Sequence, residues 1–240
     1  VIDWLKRSSA RPEIEIDGET LPIVLRRHRT AKRMTMRLAP DGSEVRLTLP
    51  RWADPNEAIA FARARTQWLS TQRAKVPPRT AVQPGSEVTF RGSLVSLAWD
   101  ENAPRRPALI AGQLRVGGPI EGLETRIRRW MERQALDLFE TETQHYCSRA
   151  RLDPVPVGLS RAQKRWGSCS EKSRIRLNWR LIQAPDFVRR SVVAHEVAHL
   201  VHFDHSPAFN ALLASLYEGD ISEADGWLKR HGRTLYSSFG

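Results

Sequence analysis

Cysteine is scarce in this chain of 240 residues, which has only Cys147 and Cys169. Two thiols cannot build a disulfide scaffold, and no apolar run near Val1 could serve as a signal segment, so the expectation is a reduced, cytoplasmic protein. Long hydrophobic runs are also missing. Nothing approaches the roughly 20 apolar residues that carry a helix across a bilayer, which excludes a membrane-spanning helix. There is no internal repeat, no low-complexity segment and no Gly-rich phosphate loop. Acidic residues are the minority, 27 against 38 Lys and Arg, which leaves a net charge of +11. That balance favours an acidic partner such as nucleic acid, a nucleotide or an anionic surface, although net charge speaks to association more than to function. The remaining composition, 40% hydrophobic and 27% charged, describes an ordinary globular protein of one large or two small domains.

The chemistry concentrates in His195-Glu196-Val197-Ala198-His199, with His205 six residues later. Histidines four apart on a helix lie about 40° apart around the axis and about 6 Å along it, so both imidazoles can close on one ion. Glu196 projects about 100° away from His195, poorly placed as a ligand but well placed to hold a metal-bound water and act as general base. A chance match on a surface helix is the competing explanation. The flanking Val192, Val193, Ala194, Val197, Ala198, Leu200 and Val201 make the segment apolar almost all round, as in a buried helix. Two histidines and a glutamate in such a helix need partners, which a zinc ion would supply.

A catalytic zinc takes three protein ligands and leaves a fourth position open. On a straight helix His202 would sit about 10 Å along the axis from His195, too far to share an ion with bonds of about 2 Å. His205 becomes the third ligand if the helix ends near Phe203 and the chain turns before Ser206-Pro207 opens the next helix. The spacing equals that of the metzincins, but His202 stands where they carry the glycine of the turn, so the turn calls for another residue, such as Asp204 in a left-handed conformation. Asp204 otherwise supports the site through hydrogen bonds.

Along the chain, residues 1–20 read as a tail or edge segment and residues 21–118 as a β-rich N-terminal part. In the latter, runs at Ile23–Arg27, Arg33–Leu38 and Val45–Leu49 form an antiparallel meander, followed by one helix from Asp54-Pro55 to Pro77. Further strands fall at Val88–Arg91, Leu94–Trp99, Ala108–Ala111 and Gln113–Val116. Residues 119–240 form the metal-binding catalytic domain. It opens with a long helix over Glu121–Ala150 and continues through strands at Val155–Ser160 and Arg174–Leu181, the metal helix, a helix through Phe209, Leu212, Leu213 and Leu216, and a last helix from Ser222 to His231. The loop Lys164-Arg165-Trp166-Gly167-Ser168-Cys169-Ser170 holds more unlike, costly residues than a turn needs, the mark of a functional surface. Cys169 reads as a packed loop cysteine, with metal ligation as its alternative. His145 reads as a surface residue.

Together, Arg165-Trp166-Gly167-Ser168-Cys169-Ser170, Ile175-Arg176-Leu177-Asn178-Trp179-Arg180-Leu181, His195-Glu196-Val197-Ala198-His199 and His205-Ser206-Pro207-Ala208-Phe209 resemble the YgjP-like metallopeptidase family, zincin-type proteins related to the SprT-like proteases. The likeness runs from about Leu21 to Tyr217 and is least over residues 77–120. It implies an α+β, zincin-like fold with a small antiparallel sheet and helix at its N-terminal side. It also implies a metal ion, zinc in the zincin pattern, on His195, His199 and His205, with Glu196 as the group that activates water; it leaves the substrate open, the members being mostly inferred peptidases. The family is also associated with hydrolysis of nucleoside triphosphates, and the resemblance implies no role for the Trp-Gly-Ser-Cys motif.

Three functions follow for testing. The first is a zinc metallopeptidase in which Arg165, Asn178 and Arg180 are candidate substrate-binding residues and the Arg174–Leu181 strand offers its edge to an extended peptide. The second is a nucleoside triphosphate pyrophosphatase in which Lys164, Arg165, Arg174, Arg176 and Arg180 neutralise phosphates. The third is a nucleic-acid-binding module with a structural zinc, closed by Cys169 or His202 as fourth ligand.

Overall fold

Alternating side chains build the first sheet. In β1 (Glu13–Ile16) and β2 (Glu19–Arg27), Ile14, Ile16, Leu21 and Ile23 are buried. Asp17 and Gly18, both at positive φ, make the two-residue turn that the twist of a hairpin favours. Two further strands, β3 (Thr35–Leu38) and β4 (Val45–Leu49), complete a sheet of order β1-β2-β4-β3. It differs from a simple meander because β2 and β4 run parallel, Ile23 beside Val45 and Arg27 beside Leu49. The connection over residues 28–34 is long enough for the chain to pass the place that β4 then fills.

Asp54 caps α1 (Pro55–Arg63), its carboxylate accepting from the Asn56 amide at 2.9 Å. The single helix expected up to Pro77 is two, because at Arg65 the backbone leaves helical geometry and the Thr66 hydroxyl donates to the Arg63 carbonyl at 2.6 Å. From Thr66 a new helix, α2 (Thr66–Arg73), begins. Ala58, Ala62 and Leu69 bury one face of the pair in the same core as Leu47 and Leu49.

The computed structural model describes residues 12–239, and residues 1–11 of the expected tail lie outside them. Its contacts divide the chain between Pro78 and Arg79, earlier than residue 118. The reason is the sheet of β5 (Glu87–Phe90), β6 (Ser93–Trp99), β7 (Ala108–Ile110) and β8 (Gln113–Val116), in the order β5-β6-β8-β7. Its Val88, Leu97, Leu114 and Val116 share one core with Ile127, Met131 and Phe139 of α3 (Leu123–Arg149).

The rest of this second unit carries the histidines. Strands β9 (Val157–Ser160), β10 (Gly167–Ser170) and β11 (Arg174–Asn178) form a sheet of order β10-β11-β9, so β11 is central and β10 is an edge. A 3-10 turn over Trp179–Ile182 leads to α4 (Asp186–Ala198), then α5 (Pro207–Leu216) and α6 (Ile221–His231). The whole is a mixed α+β fold. Among the described residues no helix is long and apolar enough to cross a membrane.

Helix α4 is pinned to α3 by a charged group inside the core. Arg189, 1% exposed, donates from Nε and Nη2 to Glu142 of α3, at 3.1 and 2.6 Å, and from Nη1 to Asp186 at 2.7 Å. Asp186 also pairs with Arg91, the residue that turns β5 into β6. The Arg91 hydrogen bond, with help from Arg189 and against burial, holds the Asp186 carboxyl at about 2, below its ordinary 3.8.

Two outcomes follow. Arg189→Ala leaves Glu142 buried without its partner and should cost about 3–5 kcal/mol in denaturant unfolding. Asp186 is depressed in the folded chain, so its contribution to stability is complete above its unfolded value. That contribution should fade as pH falls from about 4 towards 2, a loss that Asp186→Asn removes from the pH–stability curve.

Candidate metal centre

The metal helix stops sooner than its apolar pattern suggests. It ends at Ala198, and His199 is the capping residue. The next amides close short turns, Leu200 to the Val197 carbonyl at 2.9 Å and Val201 to Ala198 at 3.1 Å. The chain then reaches Ser206, whose hydroxyl caps α5 by accepting from the Phe209 amide at 3.3 Å, with Pro207 in the first turn. The turn uses no left-handed residue, since none from His199 to Ser206 has positive φ, Asp204 included. Asp204 contributes instead by accepting from the Ser206 amide at 3.4 Å.

This path brings three nitrogens to one point. His195 Nε2 lies 3.1 Å from His199 Nε2 and 3.3 Å from His205 Nε2, and the ligating atoms of the three residues all lie within 4.8 Å of one another. Nitrogens bonded to a tetrahedral zinc at about 2.0–2.1 Å stand about 3.3 Å apart, so the donor set fits that ion. His199 Nδ1 is 3.0 Å from the His202 carbonyl. A carbonyl only accepts, so Nδ1 carries the hydrogen and the Nε2 lone pair is free to bind. His202, too far along a straight helix to share the ion, thus serves the site through its backbone. Among the described residues no fourth Cys, His, Asp or Glu joins the group.

Below the imidazoles lies Phe209, which sequence periodicity marks only as a core residue of α5. Its ring centre is 5.0 Å from that of His195, 4.6 Å from His199 and 4.9 Å from His205. A buried ring in contact with all three fixes their planes. Burial, followed by the charges of His199 and His205, pushes His195 down to about 4, so it is neutral near pH 7.

Glu196, 5% exposed, faces Gly167 of β10, and burial raises its carboxyl to about 7 against the pull of the Arg165 cation. It rests on Gly167. A β-carbon at that position would lie 2.6 Å from both Cγ and Cδ of Glu196 and closer still to Oε1. Only a residue without a side chain leaves the carboxylate its place, which gives the glycine of the Trp-Gly-Ser-Cys loop a physical role. The signal was the glycine itself, in a loop otherwise rich in bulky residues. Cys169 is a half-buried thiol whose Sγ meets the Ser170 carbonyl at 3.7 Å. Burial and the charge of Glu196 push it up to about 11, which suits a packed thiol.

Of the three candidate substrate-binding residues, only the exposed Arg165 stands near the site by its effect on Glu196. Asn178 is fully buried, capping the 3-10 turn by accepting from the Arg180 amide at 3.1 Å and donating to the Ala162 carbonyl at 2.8 Å. Arg180 is buried as well, donating to the Phe239 carbonyl and lying over the rings of Trp179 and Tyr236 at 4.8 and 4.4 Å. Both hold the C-terminal segment in place, which corrects the expectation that they face a substrate.

The domain model of the YgjP-like metallopeptidases matches residues 32–231. The chain belongs to that family. Its four quoted motifs all fall inside the matched range. Among solved structures, the metallopeptidase zymogen of Pyrococcus abyssi abylysin is similar over 42% of this chain and 99% of its own, at 19% identity and a TM-score of 0.35, a likeness too slight to add to the assignment. No curated protein matches the chain. As a YgjP-like domain it is a metal-dependent peptidase in general kind.

Replacing Gly167 by Ala should cost about 1–3 kcal/mol in unfolding experiments because it drives a methyl into Glu196. The same change in a Glu196→Ala background should cost far less. An equal penalty in both backgrounds would show that the clash lies elsewhere.

Proposed function

We propose that the chain is a zinc-dependent metallopeptidase that cleaves polypeptides, with His195, His199 and His205 as ligands and Glu196 as general base. The observation that carries this reading is the convergence of three imidazole nitrogens at 3.1 and 3.3 Å, with a buried carboxylate on the same helix. A zinc ion held there supplies Lewis acidity, which makes water a nucleophile near neutral pH and polarises the scissile carbonyl. Glu196 takes the proton of the attacking water and delivers it to the departing amine. Its carboxyl, raised to about 7, suits a group that must both accept and return a proton. Arg165 remains the side chain able to offset negative charge on the reacting carbonyl.

The docking edge is not the strand from Arg174. That strand is central in its sheet, whereas β10 has a free edge. The Asn178 amide bonds the Trp166 carbonyl at 2.7 Å, and alternation along the antiparallel pair then turns the amides and carbonyls of Gly167 and Cys169 away from β11. An extended peptide pairing there would run beside Glu196, since the Gly167 Cα already touches it. The group of three ligands without a fourth favours catalysis over a closed structural site.

The test pairs metal analysis with a substrate panel. Wild type and His202→Ala should bind one equivalent of zinc, and His205→Ala should lose most of it. The loaded protein should cleave unfolded polypeptide and leave nucleoside triphosphates intact, and Glu196→Gln should lower turnover about a hundred- to ten-thousand-fold while keeping its metal. Nucleotide hydrolysis abolished by the same change, with polypeptide untouched, would reject the peptidase reading.

A further inference from the structure

Residues 20–40 contain no Asp or Glu, yet Arg26, Arg27, Arg29, Lys32, Arg33 and Arg37 fall among them. All six are exposed. Charge of one sign over so long a stretch would be solvated decoration if the chain spread it out. The first unit does the reverse. Thr48 of β4 is in register with both Arg26 at the end of β2 and Thr35 at the start of β3. The end of β2, the loop over residues 28–34, the start of β3 and the exit of β4 therefore lie at one end of the sheet.

Hydrogen bonds tie these segments together. The His28 amide donates to the Leu49 carbonyl at 2.9 Å, and the Arg27 guanidinium donates to the Arg51 carbonyl. Next along the chain stands Trp52, 76% exposed. An indole left in water is a loss that a folded domain normally avoids. Among the described residues, the ion pairs of this unit are Arg46 with Glu44 and Arg73 with Glu19, so Arg26, Arg27, Arg29, Lys32, Arg33 and Arg51 have no carboxylate partner. Asp54 follows closely, but its carboxylate caps α1.

We propose that this end of the sheet is a binding site for single-stranded nucleic acid. Cations without carboxylate partners, spread over neighbouring strand ends spaced about 5 Å apart, track a phosphate backbone. Exposed Trp52 among them offers a face on which a base stacks, a combination that suits a strand whose bases are unpaired. Guanidinium groups beside the indole add to the stack. A duplex would use the cations and leave Trp52 idle, because its bases are already stacked on one another. An anionic lipid surface would use both, so it forms the second arm of the test. The site lies wholly in the first unit and requires neither zinc nor catalysis.

The experiment measures binding of the 240-residue chain to a short fluorescent oligothymidylate by anisotropy, at several salt concentrations, beside a duplex of equal length and phosphatidylserine-containing vesicles. The expected slope of log affinity against log salt is about −2 to −4. Replacing Arg29, Lys32 and Arg33 by Ala should make it shallower by about 2. Trp52→Ala should weaken the single strand about five- to a hundred-fold, while Trp52→Phe keeps most of the affinity. These positions are exposed, so thermal unfolding of the variants should match the wild type. Single-strand affinity unchanged by Trp52→Ala, tighter binding of the duplex, or binding of vesicles alone would each overturn the proposal. Polypeptide cleavage is not read, so the outcome is independent of the peptidase reading.

Discussion

Three imidazole nitrogens brought to one point crowd each other, and a metal cation that takes all three as ligands is the species that turns that arrangement into a favourable one. The second unit is built to hold the rings in place. His195 comes from within α4, His199 from its cap and His205 from the chain's return, and the ring of Phe209 touches all three. The His202 carbonyl fixes the tautomer of one of them. Behind them, Arg189, Glu142 and Asp186 seat α4 on α3 and on the β5–β6 turn. A buried ion pair of this kind is a weak source of net stability compared with apolar packing, but it tolerates few alternative registers. A helix slid by one turn along α3 would part Arg189 from Glu142 and Asp186 from Arg91.

Local rules made much of this legible. The four-residue spacing of His195 and His199 needs only the pitch of a helix, and helix length alone sets His202 aside in favour of His205. The caps at Asp54 and Ser206 are also local, each decided within three residues. What could not be read depends on contacts distant in sequence. Gly167 matters because of Glu196, a partner in another element, and Phe209 because of three residues in two others. Asn178 and Arg180 look like site residues from their neighbours in the chain, but they face Tyr236 and Phe239 near its end. Strand direction behaves likewise, since the alternation of β2 and β4 is the same whether they pair parallel or antiparallel.

Charge was legible as a total and misleading as a clue to the site. The net +11 suggests an acidic ligand for the chain as a whole. In the second unit, however, many arginines are committed to carboxylates or carbonyls: Arg149 and Arg190 to Glu218, Arg161 to Glu132, Arg189 to Glu142 and Arg180 to Phe239. Among the described residues, Arg26, Arg29, Lys32, Arg33 and Arg51, at one end of the first sheet, have no carboxylate partner. Charge that is already paired says little about ligands, so the count matters less than the share left without partners.

Gly167 joins two requirements that otherwise have no reason to meet. Its missing side chain gives Glu196 its place, and its backbone amide and carbonyl lie on the free edge of β10. On the peptidase reading, the strand that would align the substrate is then the strand that seats the base, with no side chain between them to absorb a shift. Moving β10 outward would open space beside Glu196 and displace the substrate by the same amount. Moving it inward would crush the carboxylate. Proton transfer depends on distances held to a few tenths of an ångström, and a direct contact between strand and base keeps them together when the sheet as a whole flexes. A larger residue at 167 would break that link even if the fold and all three histidines survived.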